Sequence, residues 1–129
     1  MERHPGGAEA TLRLLELAGL EPPRRIIDLG AGSGEAVRLL RNLGFEALGI
    51  DLAPGPDVLP GDILDPPFEP ASFDAALSQC AFYLTGAPER ALEQAACLLR
   101  PGGRLLYADV CAGGVVGFGT PDGQCQWSP

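Results

Sequence analysis

The sequence predicts an α/β fold: an open, mainly parallel sheet of strand order 3-2-1-4-5, with helices on both faces and a weak third strand. Short β-rich runs alternate with stretches of helical apolar periodicity. A glycine cluster, Gly30-Ala31-Gly32-Ser33-Gly34, joins the first of these runs to a helical stretch. The chain has 129 residues, 46% of them hydrophobic, so it can build one core and is too apolar for intrinsic disorder.

The elements follow in order. A first helix is expected over Ala8–Ala18, where Leu12, Leu15 and Ala18 form a stripe with Leu14 and Leu17 beside it. Gly19 ends it, and Pro22-Pro23 forbid continuation. Arg24–Leu29 reads as a strand, and the glycine cluster turns it into a helix over Glu35–Leu43. Ala36, Val37, Leu40 and Leu43 form that helix's apolar face, and Gly44 stops it. Phe45–Asp51 is the next strand, which completes a right-handed βαβ unit with parallel strands.

The pattern then breaks. Ala53-Pro54-Gly55-Pro56 is a turn, and Asp57–Pro60 is at most a stub of strand. Five residues separate Asp51 from Asp57, whereas a parallel crossover needs about a dozen. The connection is therefore expected to be a loop without its helix. Ser72–Ser78 restores the strand pattern. Pro88–Arg100 is a helix with Pro88 near its start and Leu92, Ala95, Ala96 and Leu99 on one face. Pro101-Gly102-Gly103 breaks it before a last strong strand, Arg104–Val110. Residues 1–110 are thus read as the domain and 111–129 as a Gly/Pro-rich tail, in which Val115–Phe118 is the one candidate strand.

Composition excludes several classes. All nine basic residues are arginine, so no lysine serves as a Schiff base or phosphate-loop lysine. A net charge of −8 and a pI near 4.4 disfavour nucleic acid as a partner. No apolar run approaches the ~20 residues of a membrane span. Met1–Gly7 lack a secretory signal pattern, so a cytoplasmic location is expected. Cys80, Cys97, Cys111 and Cys125 are widely spaced without a Cys-x-x-Cys pair, which favours four reduced thiols over a zinc site or a disulfide framework.

In open parallel sheets, ligands bind at the carboxyl ends of the strands, near the point where strand order reverses. Asp28, Asp51, Asp62 and Asp74 fall in or at the ends of successive strands or loops. A nicotinamide-binding loop requires Gly-x-Gly-x-x-Gly, but the sixth position counted from Gly30 is Glu35. The spacing here is Gly-x-Gly-x-Gly, and Asp28 stands two residues before the first glycine. A carboxylate so placed disfavours a pyrophosphate and favours a ligand that carries positive charge.

Further segments occur in register with this loop. Ile26-Ile27-Asp28-Leu29-Gly30-Ala31-Gly32-Ser33-Gly34 is followed by Gly49-Ile50-Asp51, Gly61-Asp62, Ser72-Phe73-Asp74 and Leu99-Arg100-Pro101-Gly102-Gly103. In this combination the chain resembles the class I S-adenosylmethionine (SAM) dependent methyltransferases, which have a Rossmann-like fold. The nearest branch is the small-molecule enzymes of the ubiquinone/menaquinone-biosynthesis type. The resemblance covers residues 24–110 and implies SAM as cofactor and a small molecule as methyl acceptor.

It also implies roles. Gly30, Ala31, Gly32 and Gly34 would let the backbone approach the cofactor, with Asp28 near the methionine ammonium. Asp51, with Leu52 beside it, would accept from the ribose hydroxyls. Asp62 would accept from the adenine amino group while Ile63 packs on the ring, and Ser78 and Gln79 would border the ammonium and the reactive methyl. Asp74 is read as ordering the turn at strand four and Cys80 as a packed thiol. Tyr83 is read as a partly buried aromatic, His4 as a surface histidine, and Arg24 and Arg25 as solvated strand-start charges. Trp127 has no assigned role, and no residue is singled out as catalytic.

Complete members of the family carry a further helix and two more strands, of which this chain holds no clear trace. Strand five would then be left as a bare edge, which invites the tail Val115–Phe118 or a second copy of the chain to pair with it. A homodimer through that edge is accordingly one expectation. A catalytically incomplete, SAM-binding module is the alternative to an active transferase, and a nicotinamide-dependent oxidoreductase is a weaker third reading.

Overall fold

A computed structural model of the chain describes residues 7–108 and 115–119. The elements are α1 (Gly7–Ala18), β1 (Arg25–Leu29), α2 (Glu35–Asn42), β2 (Glu46–Asp51), β3 (Leu59–Pro60), β4 (Phe73–Gln79), a 3-10 turn (Tyr83–Thr85), α3 (Pro88–Leu98), β5 (Leu99–Ala108) and β6 (Val115–Gly119). The sheet has six strands in the order β3-β2-β1-β4-β5-β6. The first five are parallel, as expected, and β6 runs antiparallel to β5.

Alternation along the strands sends neighbouring side chains to opposite faces, and both faces are covered. On one face Leu14 and Ala18 of α1 and Val37 and Leu40 of α2 pack against Ile26, Leu77 and Leu106. On the other, Ala91, Ala95 and Leu98 of α3 meet Ile27, Phe73 and Leu105. The helix missing between β2 and β3 is absent as expected, and β3 is a two-residue strand that pairs Ile50 with Leu59 and Asp51 with Pro60.

Several expectations need correction. The buried face of α1 is Thr11, Leu14, Leu15 and Ala18, and Leu12 and Leu17 are exposed. Leu43 and Leu92 are exposed as well. The α1 stripe is turned by one residue because Thr11 meets a buried partner on β4, described below. The helix α3 ends at Leu98 rather than Arg100, and Leu99 is already extended (φ −89°, ψ 138°) and pairs with Phe73. The residue before a proline disfavours helix, and here Arg100 precedes Pro101. β5 thus starts five residues earlier than expected, at Leu99 instead of Arg104, with an irregularity opposite Phe73–Ala75.

Of the two partners expected at the β5 edge, the tail is the one that takes it. Leu105–Ala108 pair antiparallel with Val115–Gly119, so the tail folds back on that edge. Arg25 is no solvated charge: its Nε lies 2.9 Å from Glu46 Oε2, and its guanidinium sits 4.6 Å from the centre of the Phe73 ring. Arg24 is exposed, as expected. Cys97 is disulfide-bonded, which corrects the expectation of four reduced thiols, since spacing along the chain says little about distance in the fold. His4 and Trp127 lie outside the described residues.

Asp74 marks the rim at the amino ends of β1 and β4. Its Oδ2 accepts the Arg25 backbone N–H at 2.8 Å, and its Oδ1 accepts from Arg100 Nη1 at 3.0 Å. Burial pushes its carboxyl up, but these two hydrogen bonds and the Arg100 charge prevail and hold it below the usual range. It orders the sheet at the rim opposite the strand carboxyl ends, consistent with its reading from sequence.

Candidate functional site

At the carboxyl ends of β1, β2 and β4 the fold opens into a cleft of about 290 Å³. Its floor is the glycine turn. The N–H groups of Gly30 and Ala31 both donate to Ile50 O at 2.9 Å, which stitches the turn to the end of β2. Gly30 has φ +85°, and a Cβ there would stand 2.6 Å from Ala81 Cβ. Gly34 has φ +83°, and a Cβ there would stand 2.4 Å from Pro56 O. Left-handed backbone and crowding together require glycine at both positions. The short β2–β3 loop, lacking its helix, is what brings Pro56 against Gly34.

Asp51 ends β2 and faces the turn. Its Oδ2 accepts from Gly32 N–H and its Oδ1 from Ala53 N–H, each at 2.9 Å. A carboxylate offers about four acceptor sites, so both oxygens keep capacity for a ligand. Asp62 lies across the cleft, exposed, with Oδ1 accepting from Leu64 N–H at 2.9 Å in a local turn, and Ile63 beside it is buried. Leu52 lines the cleft and is largely exposed.

Asp28 lies behind the turn, 4% exposed. Burial pushes its carboxyl up to about 7, and the nearby Asp51 charge adds to the effect. Desolvation thus favours the neutral carboxyl here, against the preference for positive charge expected of this position from sequence.

Of the residues expected at the site, Gly30, Gly32, Asp51, Leu52, Asp62, Ile63 and Gln79 line the cleft. Asp28, Ala31, Gly34 and Ser78 stand in a layer behind it. Ala31 packs into the core beneath Gly49, and Gly34 precedes α2 as its N-cap residue. Ser78 is fully buried, its Oγ without a hydrogen-bond partner among the described residues.

Gly61, quoted in the Gly61-Asp62 pair but given no role, also lines the cleft, as do Ala81, Leu84 and Thr85, which sequence reading missed. Cys80, expected to be packed away, is partly exposed and lines the cleft in a left-handed conformation (φ 58°). Its N–H donates to Ala108 O at 2.7 Å, which turns the chain sharply at the end of β4. Tyr83 is 46% exposed and outside the cleft lining, on a 3-10 turn that no motif announced. Thr11 is the other residue missed: its Oγ1 donates to Gln79 Oε1 at 2.9 Å, across 68 residues of sequence.

A doubly covered parallel sheet whose first glycine turn floors a cleft with an acid at the end of β2 defines a Rossmann-like ligand-binding domain. Comparison with known proteins narrows this further. The chain belongs to the methyltransferase domain family, whose model matches residues 27–107. It is 33% identical over 114 residues to a demethylmenaquinone methyltransferase from Thermus thermophilus, covering 75% of this chain and 52% of the relative. It is 30% identical over 118 residues to a malonyl-[acyl-carrier protein] O-methyltransferase from Serratia marcescens, covering 83% of this chain and 46% of the relative. The chain thus spans about half the length of the curated relatives it matches.

Among solved structures, a chain of the Haloferax volcanii complex containing the Trm112 methyltransferase activator superposes with a TM-score of 0.62 at 34% identity, over 74% of this chain and 49% of that one. A Burkholderia thailandensis N-methyltransferase solved with S-adenosylhomocysteine shares the fold, with a TM-score of 0.69 at 22% identity over 80% of this chain and 51% of that one. No helix among the described residues is long and apolar enough to cross a membrane.

Proposed function

We propose that this chain binds SAM in the glycine-floored cleft and serves methyl transfer to a small-molecule acceptor. The observation that carries the reading is Asp51: one carboxylate braces the turn through Gly32 and still offers acceptor capacity to the cleft. A vicinal pair of ribose hydroxyls suits that geometry. The residues fit the rest of the cofactor. Asp62 and Ile63 offer an acceptor and an apolar face to an adenine ring. Gly30 and Gly32 leave room that side chains would fill, and the buried amide of Gln79 lines the same cleft. Asp28, Ala31, Gly34 and Ser78 support these groups from behind.

When bound, SAM supplies a methyl group made electrophilic by its sulfonium. The chain's own contribution is binding and orientation. Asp28 and Asp51 favour positive charge at the mouth of the sheet, and the buried lining formed by Ile63 and Ala81 excludes water. No side chain of the cleft needs to act as a nucleophile.

A module that binds SAM without transferring its methyl is the second reading, since the cleft lining, among the described residues, holds no histidine, lysine or tyrosine to serve as a base toward an acceptor. Calorimetric titration of the 129-residue chain with SAM tests the shared claim. Transfer assays with demethylmenaquinone-like acceptors separate the two readings. Binding of NAD in place of SAM would overturn both. The proposal extends to a cytoplasmic setting and to no nucleic-acid partner, in keeping with the charge of −8. Residues 1–110 remain the proposed functional unit. A homodimer through β5 loses its rationale, because β6 occupies that edge.

A further inference from the structure

The two ends of the sheet carry opposite charge. The cleft at the carboxyl ends is lined by Asp51 and Asp62 and, among the described residues, by no arginine. At the amino ends a second cavity, of about 210 Å³, opens beside the end of α1 and the start of β5. Arg24, Arg100 and Arg104 line it together with one acid, Asp74. Three of the chain's nine arginines thus meet at one hollow in a protein of net charge −8.

Three arginines against one carboxylate leave this lining a charge of +2. Two of the side chains are held in place. Arg100 Nη1 donates to Asp74 Oδ1 and Arg104 Nη1 donates to Ala18 O, each at 3.0 Å. The other Asp74 oxygen accepts from Arg25 N–H at 2.8 Å, so both oxygens of the one acid are engaged. Arg24 is exposed, and it lies near enough for its charge to help hold the Asp74 carboxyl low. Gly19 and Gly102 form part of the wall, and a Cβ at either would meet nothing within 4 Å. The hollow is therefore open space and no seam between packed side chains.

Like charges gathered in one place repel unless an anion compensates them. A guanidinium offers a planar fork of donors that matches phosphate oxygens. A carboxylate ligand would neutralise one of the two excess charges, whereas a phosphate dianion neutralises both. The acidity of the rest of the chain turns away long polyanions and leaves a small one as the fitting ligand.

We propose that this rim cavity binds a phosphate group, as the free ion or as a small-molecule monoester. The site lies on the far side of the sheet from the cleft and does not depend on what the cleft holds.

The test is titration of the 129-residue chain with inorganic phosphate, phenyl phosphate and acetate at low ionic strength, followed by amide resonances. Gly19 and Gly102 should shift saturably with either phosphate, while Gly30 and Gly32 of the cleft stay in place. Acetate should bind at least tenfold more weakly. Arg24→Gln should weaken phosphate by about fivefold, the loss expected for one exposed charge pair. Arg90→Gln removes an exposed arginine of α3 outside this cavity and should leave the affinity unchanged. Tighter binding of phenyl phosphate identifies a monoester as the ligand, and the reverse order identifies the free ion. Shifts that never saturate, equal loss in the two arginine variants, or acetate binding as well as phosphate overturns the proposal and leaves the SAM reading standing.

Discussion

Gly32 N–H lies 2.9 Å from Asp51 Oδ2, a bond between the first glycine turn and the end of the neighbouring strand. The same carboxylate also receives Ala53 N–H. Asp51 thus shapes the loops on both of its sides as well as presenting charge to the cleft. Asp51→Ala should weaken S-adenosylhomocysteine by more than tenfold, on the order of 1.4 kcal/mol or above. It should also lower stability by about 1–3 kcal/mol, because two loop N–H groups lose a charged acceptor. Calorimetry and urea unfolding read the two effects separately, and an unchanged affinity would reduce Asp51 to a loop brace.

Asp28 gives the fold a pH dependence of unusual sign for a carboxylate. Its native carboxyl titrates near 7, against 3.8 for an unperturbed one. Between those values the native state holds a proton that the unfolded chain has released, so stability falls as pH rises through this window. Asp28→Asn should flatten that slope in urea unfolding from pH 4 to 8. A cationic ligand favours the ionised form, so binding near pH 7 should release a proton. Titrations in buffers of different ionisation enthalpy measure that release directly.

Asp74 works in the opposite direction. Its carboxyl is held below the usual 3.8 by Arg25 N–H and Arg100, so its contribution is present above that value and is lost as the pH falls below it. Asp74→Asn should lessen the acid sensitivity of unfolding and leave cofactor affinity unchanged, since the residue sits at the far rim of the sheet. A loss of affinity in this variant would mean that the rim and the cleft are coupled.

Gly34 and Gly86 form a matched pair for separating crowding from backbone strain. Both have φ near +80°, at +83° and +77°, but a Cβ at Gly34 meets Pro56 O at 2.4 Å while one at Gly86 meets nothing within 4 Å. Gly86→Ala should cost about 1–2 kcal/mol from left-handed backbone alone. Gly34→Ala should cost clearly more and should also loosen the turn that floors the cleft. Equal costs in thermal unfolding would show that the β2–β3 loop yields freely.

β6 covers a strand edge rich in unpaired backbone groups. Removal of residues 111–129 should convert the chain into a self-associating species, because β5 then presents N–H and C=O groups to another copy. Sedimentation velocity on the two forms checks this, and a truncated chain that stays monomeric would show that the edge is protected by other means.

Much of the fold is readable from short-range signals. The glycine turn between β1 and α2, the helix stop at Gly19 and the absent crossover after Asp51 all follow from local chemistry or from counting residues. What escapes is long-range. Thr11 looks like a break in a leucine stripe until Gln79, 68 positions away, is seen to accept its hydroxyl. Arg25 looks solvated until β4 and β2 bring Asp74, Glu46 and Phe73 around it. Asp28 stands behind the glycine turn and its carboxyl is raised, which sequence does not announce, since burial is a property of the folded sheet. In the cleft, the acids and glycines were legible by type and spacing. Ala81, Leu84 and Thr85 were not, because apolar and small residues after β4 carry no periodic mark.

At the other margin of the sheet, β3 is two residues long and ends in Pro60, which has no N–H to give. A visiting strand finds almost no hydrogen-bonding ladder there to extend. This flank therefore resists templated growth, and strand-mediated clumping of the molecule, where it occurs, has to begin on the side where β5 and β6 lie.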